Sequence, residues 1–497
     1  MKMPIAQVLL LAAAGVVLSG CVRSNIERSF ANVQGAVADR TGKQIEWLDV
    51  SSEGQAVGQA IEELLKDGLT VDEAVQTALL NNRRLQATYS DLGVAVAELV
   101  EAGLLENPVF TGAYRLRDDQ YVFEGSVAQD FLSLLLLPLR RQRARAELAQ
   151  AQIRVTGEVI NLAGETRRAF YRYQADQQRV ELLRSVVLST GAAYEMAWRL
   201  RAAGNVTQLN LMNERAPFEQ AKLDLARAEL MLLKHRERLN RLMGLWGHGT
   251  LWTVDHRLAE VPDAESEPEN AEALAVANSL DLAEARLDLE VVARRAGIRN
   301  VRELLPELEL GVDSERESET EYKLKKRKID DKTEYKLDKE SEHVWWVGPA
   351  LTVPVPIFNQ GQPARAVAWA QVRRQWEEYN ALAVEVRSHV RVALQQLRYE
   401  RQRAQYYREL MVPLRHRITD QTQLRYNAMF LGIFQLLEAR EREINAGERY
   451  VEALRDYWVA RAELDQILQG RLPDESRREQ DGQAMDEGGR EEGNGDH

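Results

Sequence analysis

The chain has 497 residues and a formal net charge of −12, room for several domains or one extended assembly, and its acidic balance argues against general nucleic-acid binding. Its single cysteine, Cys21, excludes an intramolecular disulfide and a cysteine-rich metal site. The seven histidines are scattered, with no H-x-x-x-H or H-x-x-H pair to indicate a histidine metal site.

Lys2 is followed by an apolar core from Ile5 to Val17 and by Leu18-Ser19-Gly20-Cys21, the layout of an export signal. These last four residues resemble a bacterial lipoprotein signal. That resemblance implies a signal peptide over residues 1–20 and a lipid anchor on Cys21. It also implies outer-membrane sorting, because Val22 stands where a retaining aspartate would hold a lipoprotein at the inner membrane. No later stretch is long and apolar enough for a membrane helix, so any further crossing must use strands. Residues 21–68 are expected to be an extended segment.

Thr70 and Glu73 form a capping box for a helix that begins near Val71 and runs with helical spacing to Asn107-Pro108. "PVFTGAYRL" and "YVFEGSVAQDFLSLLLLP" then read as a strand pair, with the apolar run from Phe131 included in the second strand. After Pro138 a helical pattern reaches Ala203, roughly 95 Å at ~1.5 Å per residue. A returning helix covers Thr207 to Leu245, which closes a first repeat over residues 69–246.

Residues 247–270 read as a linker, and the order then repeats over 271–470. There is a helix ending at Pro306, the strands "ELELGVDSE" and "HVWWVGPALTVPVPIF", a long helix from Gln362 to Tyr426, and a last helix from Phe434 to Leu468. Matches such as Asn81 and Leu85 with Asn278 and Leu282, Pro138 with Pro356, and Leu211 with Leu436 follow that order. The second repeat also holds a charged insert, 314–343, with "TEYKL" at Thr320–Leu324 and again at Thr333–Leu337. It reads as a solvated loop or a protruding polar hairpin. The acidic tail, 471–497, is expected to be disordered.

A run too short for a membrane helix suits a tilted strand, but four strands per chain cannot close a barrel. Several copies must share them, and narrow-striped long helices fit the wall of the same tube. The order of "LTVDEAVQTALLNNRRLQ", "AGLLENPVF", "VPVPIFNQGQPARAVAWAQV", "RYNAMFLGIFQLLEAREREINA" and "ARAELDQILQG" resembles the TolC-type outer-membrane efflux factors.

The resemblance implies a mostly α protein with a membrane β-barrel. The barrel would be homotrimeric and twelve-stranded, four strands per protomer, and continued by a long periplasmic α-helical barrel. It implies the exit duct of a tripartite pump of the resistance-nodulation-division type, passing drugs, solvents or metal ions. The partners would be a periplasmic membrane-fusion adaptor, an inner-membrane efflux pump and outer-membrane lipid, with no nucleic acid, no cofactor and no bound metal. The turns Gly204-Asn205-Val206-Thr207 and Met429-Phe430-Leu431-Gly432 would face the adaptor, and Tyr426, Gln435 and Glu438 would form the periplasmic gate. Met429 departs from the glycine of the first turn, and Gln435 stands where a carboxylate is expected.

Trp345, Trp346, Tyr114 and Tyr121 suit either an aromatic girdle or packing between strands. No nucleophile-elbow, phosphate-loop or zinc-protease motif is present, so no enzyme is indicated. A periplasmic adaptor lipoprotein would have one helical hairpin between small β domains, and a coiled-coil scaffold would lack the paired strands.

Overall fold

A computed structural model describes residues 24–48, 53–66, 68–117, 120–255, 257–263, 270–304, 309–329, 332–352, 357–358 and 360–473. The signal peptide, Cys21, Pro306, Pro356 and residues 474–497 of the tail lie outside them. In chain order the elements are α1 (24–41), α2 (Glu53–Leu64), α3 (Val71–Asn81), α4 (Arg83–Glu101), β1 (Val109–Arg117), β2 (Gln120–Asp130), α5 (Phe131–Ala202) and α6 (Gln208–Met243). There follow α7 (Ala271–Asn278), α8 (Leu280–Leu304), β3 (Glu309–Ile329), β4 (Lys332–Thr352), α9 (Gln362–Tyr406), α10 (Val412–Asn427) and α11 (Ile433–Leu468). The chain forms two compact units, one built from Val94–Gln150 and Ala285–Glu378, the other from Ser24–Gly93, Ala151–Glu284 and the chain from Tyr379 onward.

In the first unit the strands form one antiparallel sheet in the order β1-β2-β3-β4. Residues alternate between faces, so register decides what each face carries. One face holds Phe110, Phe123, Val127, Val312, Val347 and Leu351, all exposed in the protomer. The other holds Arg115, Glu124, Ser126, Asp313 and Glu315, with an Arg115–Glu124 ion pair of 2.9 Å. An exposed apolar face opposite a polar one is the pattern of a barrel wall between lipid and lumen.

Tyr114, Phe123, Arg316 and Trp345 form one row across the apolar face, with the Arg316 guanidinium 5.2 Å from the Trp345 ring centre. Trp346 pairs with Glu315 on the opposite face, so only one of the two tryptophans belongs to the row.

The structure corrects one expectation here and decides another. The run from Phe131 is helical, because Asp130 ends β2 and its Oδ1 accepts hydrogen bonds from the Leu132 and Ser133 amides at 2.8 and 3.2 Å. Leucine is a good helix former, and Pro138 is tolerated inside α5. Its missing N–H frees a carbonyl in the preceding turn, and Arg140 Nη2 donates to the neighbouring Ser133 carbonyl at 2.7 Å. Of the two readings of the charged insert 314–343, loop or hairpin, the structure has the hairpin: the insert continues both β3 and β4, which pair to Ile329↔Lys332.

The second unit is helical. Residues 21–68 are not an extended segment over their described part, since 24–41 is α1. Its Phe30, Val33 and Val37 recur at helical spacing and are buried with Tyr89, Leu92 and Val155. Residues 247–270 are likewise more than a linker, within the described positions. Trp252 is buried, donates Nε1–H to Asn240 Oδ1 at 2.8 Å and lies under the Arg236 guanidinium. Arg236 Nη2 in turn donates to the Thr250 and Trp252 carbonyls.

The capping box at Thr70 is present, with Thr70 N–H to Glu73 Oε2 at 2.8 Å and Glu73 N–H to Thr70 Oγ1 at 3.3 Å. The expected single helix beyond it breaks at Asn82, whose Oδ1 caps α4 at the Leu85 amide. Ser279 does the same for α8 at Leu282. At these breaks Asn81 Nδ2 donates to the Met243 and Gly244 carbonyls, and Asn278 Nδ2 donates to the Leu468 carbonyl. Each asparagine therefore closes the end of a returning helix, α6 or α11, whose last carbonyls have no partner within the helix.

Gly244 (φ +67°) and Gly470 (φ +109°) end those helices, where a Cβ would lie 2.6 Å from Asn81 O and 2.2 Å from Asn278 O. The long helix expected to reach Tyr426 is interrupted by a π turn over Tyr407–Met411. Pro413 follows, and the wider turn relieves its clash with the carbonyl one turn back.

Gly470→Ala combines a backbone conformation hostile to a side chain with a clash against backbone. It is expected to destabilise the protein by about 3 kcal/mol, whereas Gly35→Ala in α1, with open space around it, is expected to be neutral or stabilising. Thermal unfolding of the detergent-purified variants checks both.

Candidate functional site

The helical unit carries two inter-helix turns that the sequence marks for partner contact. Gly204 (φ +77°) follows α5, with Gly204 N–H donating to Arg201 O at 3.0 Å and Asn205 N–H to Leu200 O at 2.9 Å. Met429 (φ +61°) follows α10, with Met429 N–H donating to Tyr426 O and Phe430 N–H to Arg425 O, both at 2.9 Å. The two turns make the same pair of hydrogen bonds at a constant offset in numbering, the closure of a helix by a left-handed residue. The departure at Met429 therefore leaves the fold of the turn unchanged and puts a side chain in a conformation that costs about 1–2 kcal/mol outside glycine. That side chain and Phe430 are 93% and 81% exposed, so the second turn presents an apolar tip where the first presents Gly204 and Asn205.

After the turns the helices restart differently. Thr207 caps α6 by accepting from the Asn210 amide at 3.2 Å, while Gly432 precedes α11 with no side-chain cap. Leu431 and Val206 are half-buried at these restarts.

Gln435 and Glu438 follow on α11, both exposed, and Tyr426 is half-buried at the end of α10. Gln435 and Glu438 line a cavity of about 310 Å³ together with Ser189 and Thr190 of α5, Glu214 of α6 and Glu441. Burial, and then the charges of Glu438 and Glu441, raise the Glu214 carboxyl above the usual carboxylate range. Arg442 pairs with Glu438 one turn along. The structure thus brings two of the three expected gate residues into one acidic hollow and leaves Tyr426 outside its lining. It adds Glu214 and Glu441, which the sequence reading missed. Glu441 was detectable three residues from Glu438 on the same helix face, but Glu214 comes from the other repeat and needed the fold.

Behind the hollow, α10 and α11 are fastened by His416, whose Nδ1 lies 2.9 Å from Glu443 Oε1 and whose Nε2 is 3.6 Å from Asp420. Arg440 Nη1 also donates to Glu443, and Thr419 Oγ1 donates across to the Ala439 carbonyl. The hydrogen bond to Glu443, then the charges of Asp420 and Glu443, raise the His416 pKa. For Glu443 burial acts in the opposite sense, but hydrogen bonds from His416, Arg440 and Thr419 outweigh it and hold the carboxyl low. Among the described residues no cluster of three or more His, Cys, Asp or Glu side chains suits a metal ion, and no helix is long and apolar enough to cross a membrane.

Residues 273–470 match the family described as outer membrane efflux protein. The chain is 23% identical over 407 residues to the cobalt-zinc-cadmium resistance protein CzcC of Cupriavidus metallidurans, covering 80% of this chain and 90% of the relative. Its fold matches a membrane protein from Pseudomonas aeruginosa with a TM-score of 0.61 at 16% identity, over 80% of this chain and 93% of that one. It matches the open state of the MtrE outer membrane channel of Neisseria gonorrhoeae with a TM-score of 0.60 at 14% identity, over 81% and 89%. The fold is that of outer-membrane channels.

Met429→Gly removes the strain without altering the turn and is expected to stabilise the tip by about 1 kcal/mol, read as slower amide exchange over the α10–α11 turn. The His416 contribution, from a raised pKa, is full below the ordinary histidine range and is lost as pH rises through the raised value. Glu443, with a lowered pKa, contributes above the ordinary carboxylate range and loses its contribution as pH falls through the depressed value. After correction for the intrinsic pH dependence of amide exchange, protection at the α10–α11 tip is therefore expected to be lower at pH 8.5 than at pH 6, and His416→Gln is expected to abolish that difference in protection.

Proposed function

We propose that the chain is a member of the outer membrane efflux protein family, whose model matches residues 273–470, and that it is the exit duct of a tripartite efflux system. It lies in the outer membrane, extends into the periplasm and passively conducts what an inner-membrane pump delivers through a periplasmic adaptor. The observation that carries this reading is the four-stranded sheet with one apolar face exposed and the other polar. Such a sheet is stable in lipid only when its edges are paired, and copies of the same chain supply the missing strands.

Homotrimeric closure is supported independently by two uncovered apolar stripes on the helical unit. Leu209, Leu223 and Leu230 mark one on α6, and Val384, Val392 and Tyr399 mark the other on α9. Packing α6 of one copy against α9 of the next covers both. Residues 69–246 then form a first copy of the family domain, supported by the paired asparagines, glycines and turns, and Cys21 provides the lipid anchor.

The two turns are the adaptor contacts: Gly204, Asn205, Val206 and Thr207 in one, Met429, Phe430, Leu431 and Gly432 in the other. Glu438, with Tyr426 and Gln435, gates the mouth. Copies of Glu438 and its carboxylate neighbours around one axis repel anions and favour cations, which together with the likeness to CzcC supports metal ions as a cargo class. Energy and the choice of cargo lie with the pump.

Electron-microscopic imaging of the detergent-purified protein is expected to show a threefold tube with a helical section of roughly 100 Å; a monomer or an unclosed rod would remove the duct reading. In planar bilayers Glu438→Lys is expected to lower cation preference several-fold, and an unchanged preference would remove Glu438 from the gate.

A further inference from the structure

Under the outer-membrane reading above, the apolar face of the sheet is too short for the membrane. From the row of Tyr114, Phe123, Arg316 and Trp345 to the level where Asp130 pairs with Glu309, and Glu309 with Thr352, the strands run seven residues, about 18 Å of height at ~3.3 Å per residue and ~40° of tilt. An outer-membrane barrel carries an apolar band about 25 Å tall. The missing height is about 7 Å, roughly four or five residues of helix at ~1.5 Å each.

Exposed apolar pairs stand at that distance from the sheet. Leu104 and Leu105 lie five and four residues before β1, Leu134 and Leu135 four and five residues after β2, and Ile357 and Phe358 five and six residues after β4, all exposed. In α5 the interleaved Leu132 and Leu136 are buried, so the leucine run is divided between core and surface. The exposed positions of α5 then recur at helical spacing through Leu134, Leu135, Pro138, Arg141, Gln142 and Arg145. One stripe therefore passes from leucine to arginine between residues 135 and 141, about 9 Å along the helix. The second repeat keeps the order, with an exposed Arg365 on α9 seven residues after Phe358.

The neighbours of α5 decide what this stripe can face. On one side Arg140 pairs with Glu106 at 3.0 Å and Arg141 Nη2 donates to the Gly103 carbonyl at 3.3 Å, both on the segment that follows α4. On the other, α8 sends Arg294 to the Gln142 carbonyl and Arg295 to Glu147 at 3.4 Å. With both flanks taken by its own chain, α5 presents the stripe to the outside of the tube or to the lumen. Leu134 and Leu135, 44% and 60% exposed, are unfavourable against a wet lumen and favourable in lipid. The carboxylates Glu106 and Glu147 are engaged by Arg140 and Arg143, while Arg145 and Arg299, ten residues before β3, make no ion pair among the described residues. A surface that turns from apolar to cationic where the apolar band ends complements an anionic bilayer interface.

Resting on that outer-membrane reading, we propose that the first turns of α5 are seated in the periplasmic leaflet. Leu134 and Leu135 complete the hydrocarbon band, and Arg141, Arg145 and Arg299 hold the anionic headgroups of its phospholipids. Each arginine near an anionic surface contributes about fivefold in affinity, less at high salt, so removing three is expected to cost at least tenfold.

The full-length protein in detergent is titrated with phosphatidylglycerol and with zwitterionic phosphatidylcholine of the same acyl chains, and bound lipid is counted by native mass spectrometry. Arg141→Gln/Arg145→Gln/Arg299→Gln is compared with Arg227→Gln/Arg241→Gln/Arg449→Gln, which removes equal charge from exposed positions of the helical unit. The unmodified protein is expected to hold phosphatidylglycerol at least tenfold more tightly, the first variant to lose that preference and the second to keep it. No preference in the unmodified protein, or equal losses in the two variants, would overturn the proposal. In vesicles, with the signal of the unsubstituted protein subtracted, a nitroxide at Leu135→Cys is expected to be relaxed more by oxygen than by a water-soluble nickel chelate, and one at Arg145→Cys the reverse. A label at Leu135→Cys open to the chelate would place the stripe in the lumen and overturn the proposal as well. Single-channel recordings on the same preparations separate the two levels: channels without lipid preference remove only this inference, whereas no channels remove the duct reading beneath it.

Discussion

The constraint on which the rest depends is that a sheet of four strands with an exposed apolar face and two unpaired edges cannot satisfy its own backbone in lipid. Neither edge strand has a further neighbour among the described residues. The alternation that puts Phe110, Val127, Val312 and Leu351 on one side and Glu124, Asp313 and Glu315 on the other leaves the chain with half a solution to crossing a membrane. In the proposed assembly, other copies supply the second half. The same incompleteness recurs in the helical unit, where apolar stripes on α6 and α9 stand uncovered although the unit has packed cores of its own. In both units the isolated protomer leaves an apolar surface or sheet edge uncovered.

The helical unit repeats one device at two levels. Wherever a long helix must end beside another segment, the chain uses a left-handed residue and two amides reaching back into the last turn. This holds at Gly204 and Met429 and again at Gly244 and Gly470. At the second pair an asparagine from the opening helix of each repeat caps the returning helix, so the entry and the exit of each repeat are fixed to one another. An unsatisfied helix end is costly when buried, and this closure explains why glycines 244 and 470 stand where a Cβ would meet the backbone of Asn81 and Asn278.

The order of helices and strands was legible in the sequence because it rests on local signals: the Thr70 capping box, the alternation of β1 and β2, and the Gly204-Asn205 stop. The failures share a physical cause. The run from Phe131 is apolar enough for strand or helix, and a single hydrogen-bonding side chain, Asp130, decides between them. The segment around Trp252 has a loop's composition, yet its position is set by Arg236 and Asn240 near the end of the preceding helix, through side-chain hydrogen bonds that composition does not reveal. The charged insert stays open between loop and hairpin in the sequence, because its composition suits a solvated loop, and the ladder that continues from Leu310 and Leu351 decides for the hairpin. Of the acidic hollow, Gln435 and Glu438 are singled out through resemblance, whereas Glu214 is not. It belongs to the hollow only because α6 passes α11, and nothing in its own neighbourhood distinguishes it from the many glutamates on solvated faces.

What distinguishes the two repeats indicates where duplication has been turned to use. The first turn ends in Gly204 and restarts from a capped Thr207, a relaxed arrangement with no large apolar side chain exposed between Gly204 and Thr207. The second tolerates strain at Met429, restarts from an uncapped Gly432, and has α10 preceded by a π turn and fastened to α11 through His416. Strain, a weak helix start and a titratable fastening are each small unfavourable or conditional terms, and they lower the cost of moving one hairpin relative to a fixed one. The proposed gated duct would need such an asymmetry, because a wall built from two equally rigid hairpins has no element that yields. Under that proposal the first repeat is the fixed wall, and the second, with Glu438 on its last helix, is the part that yields.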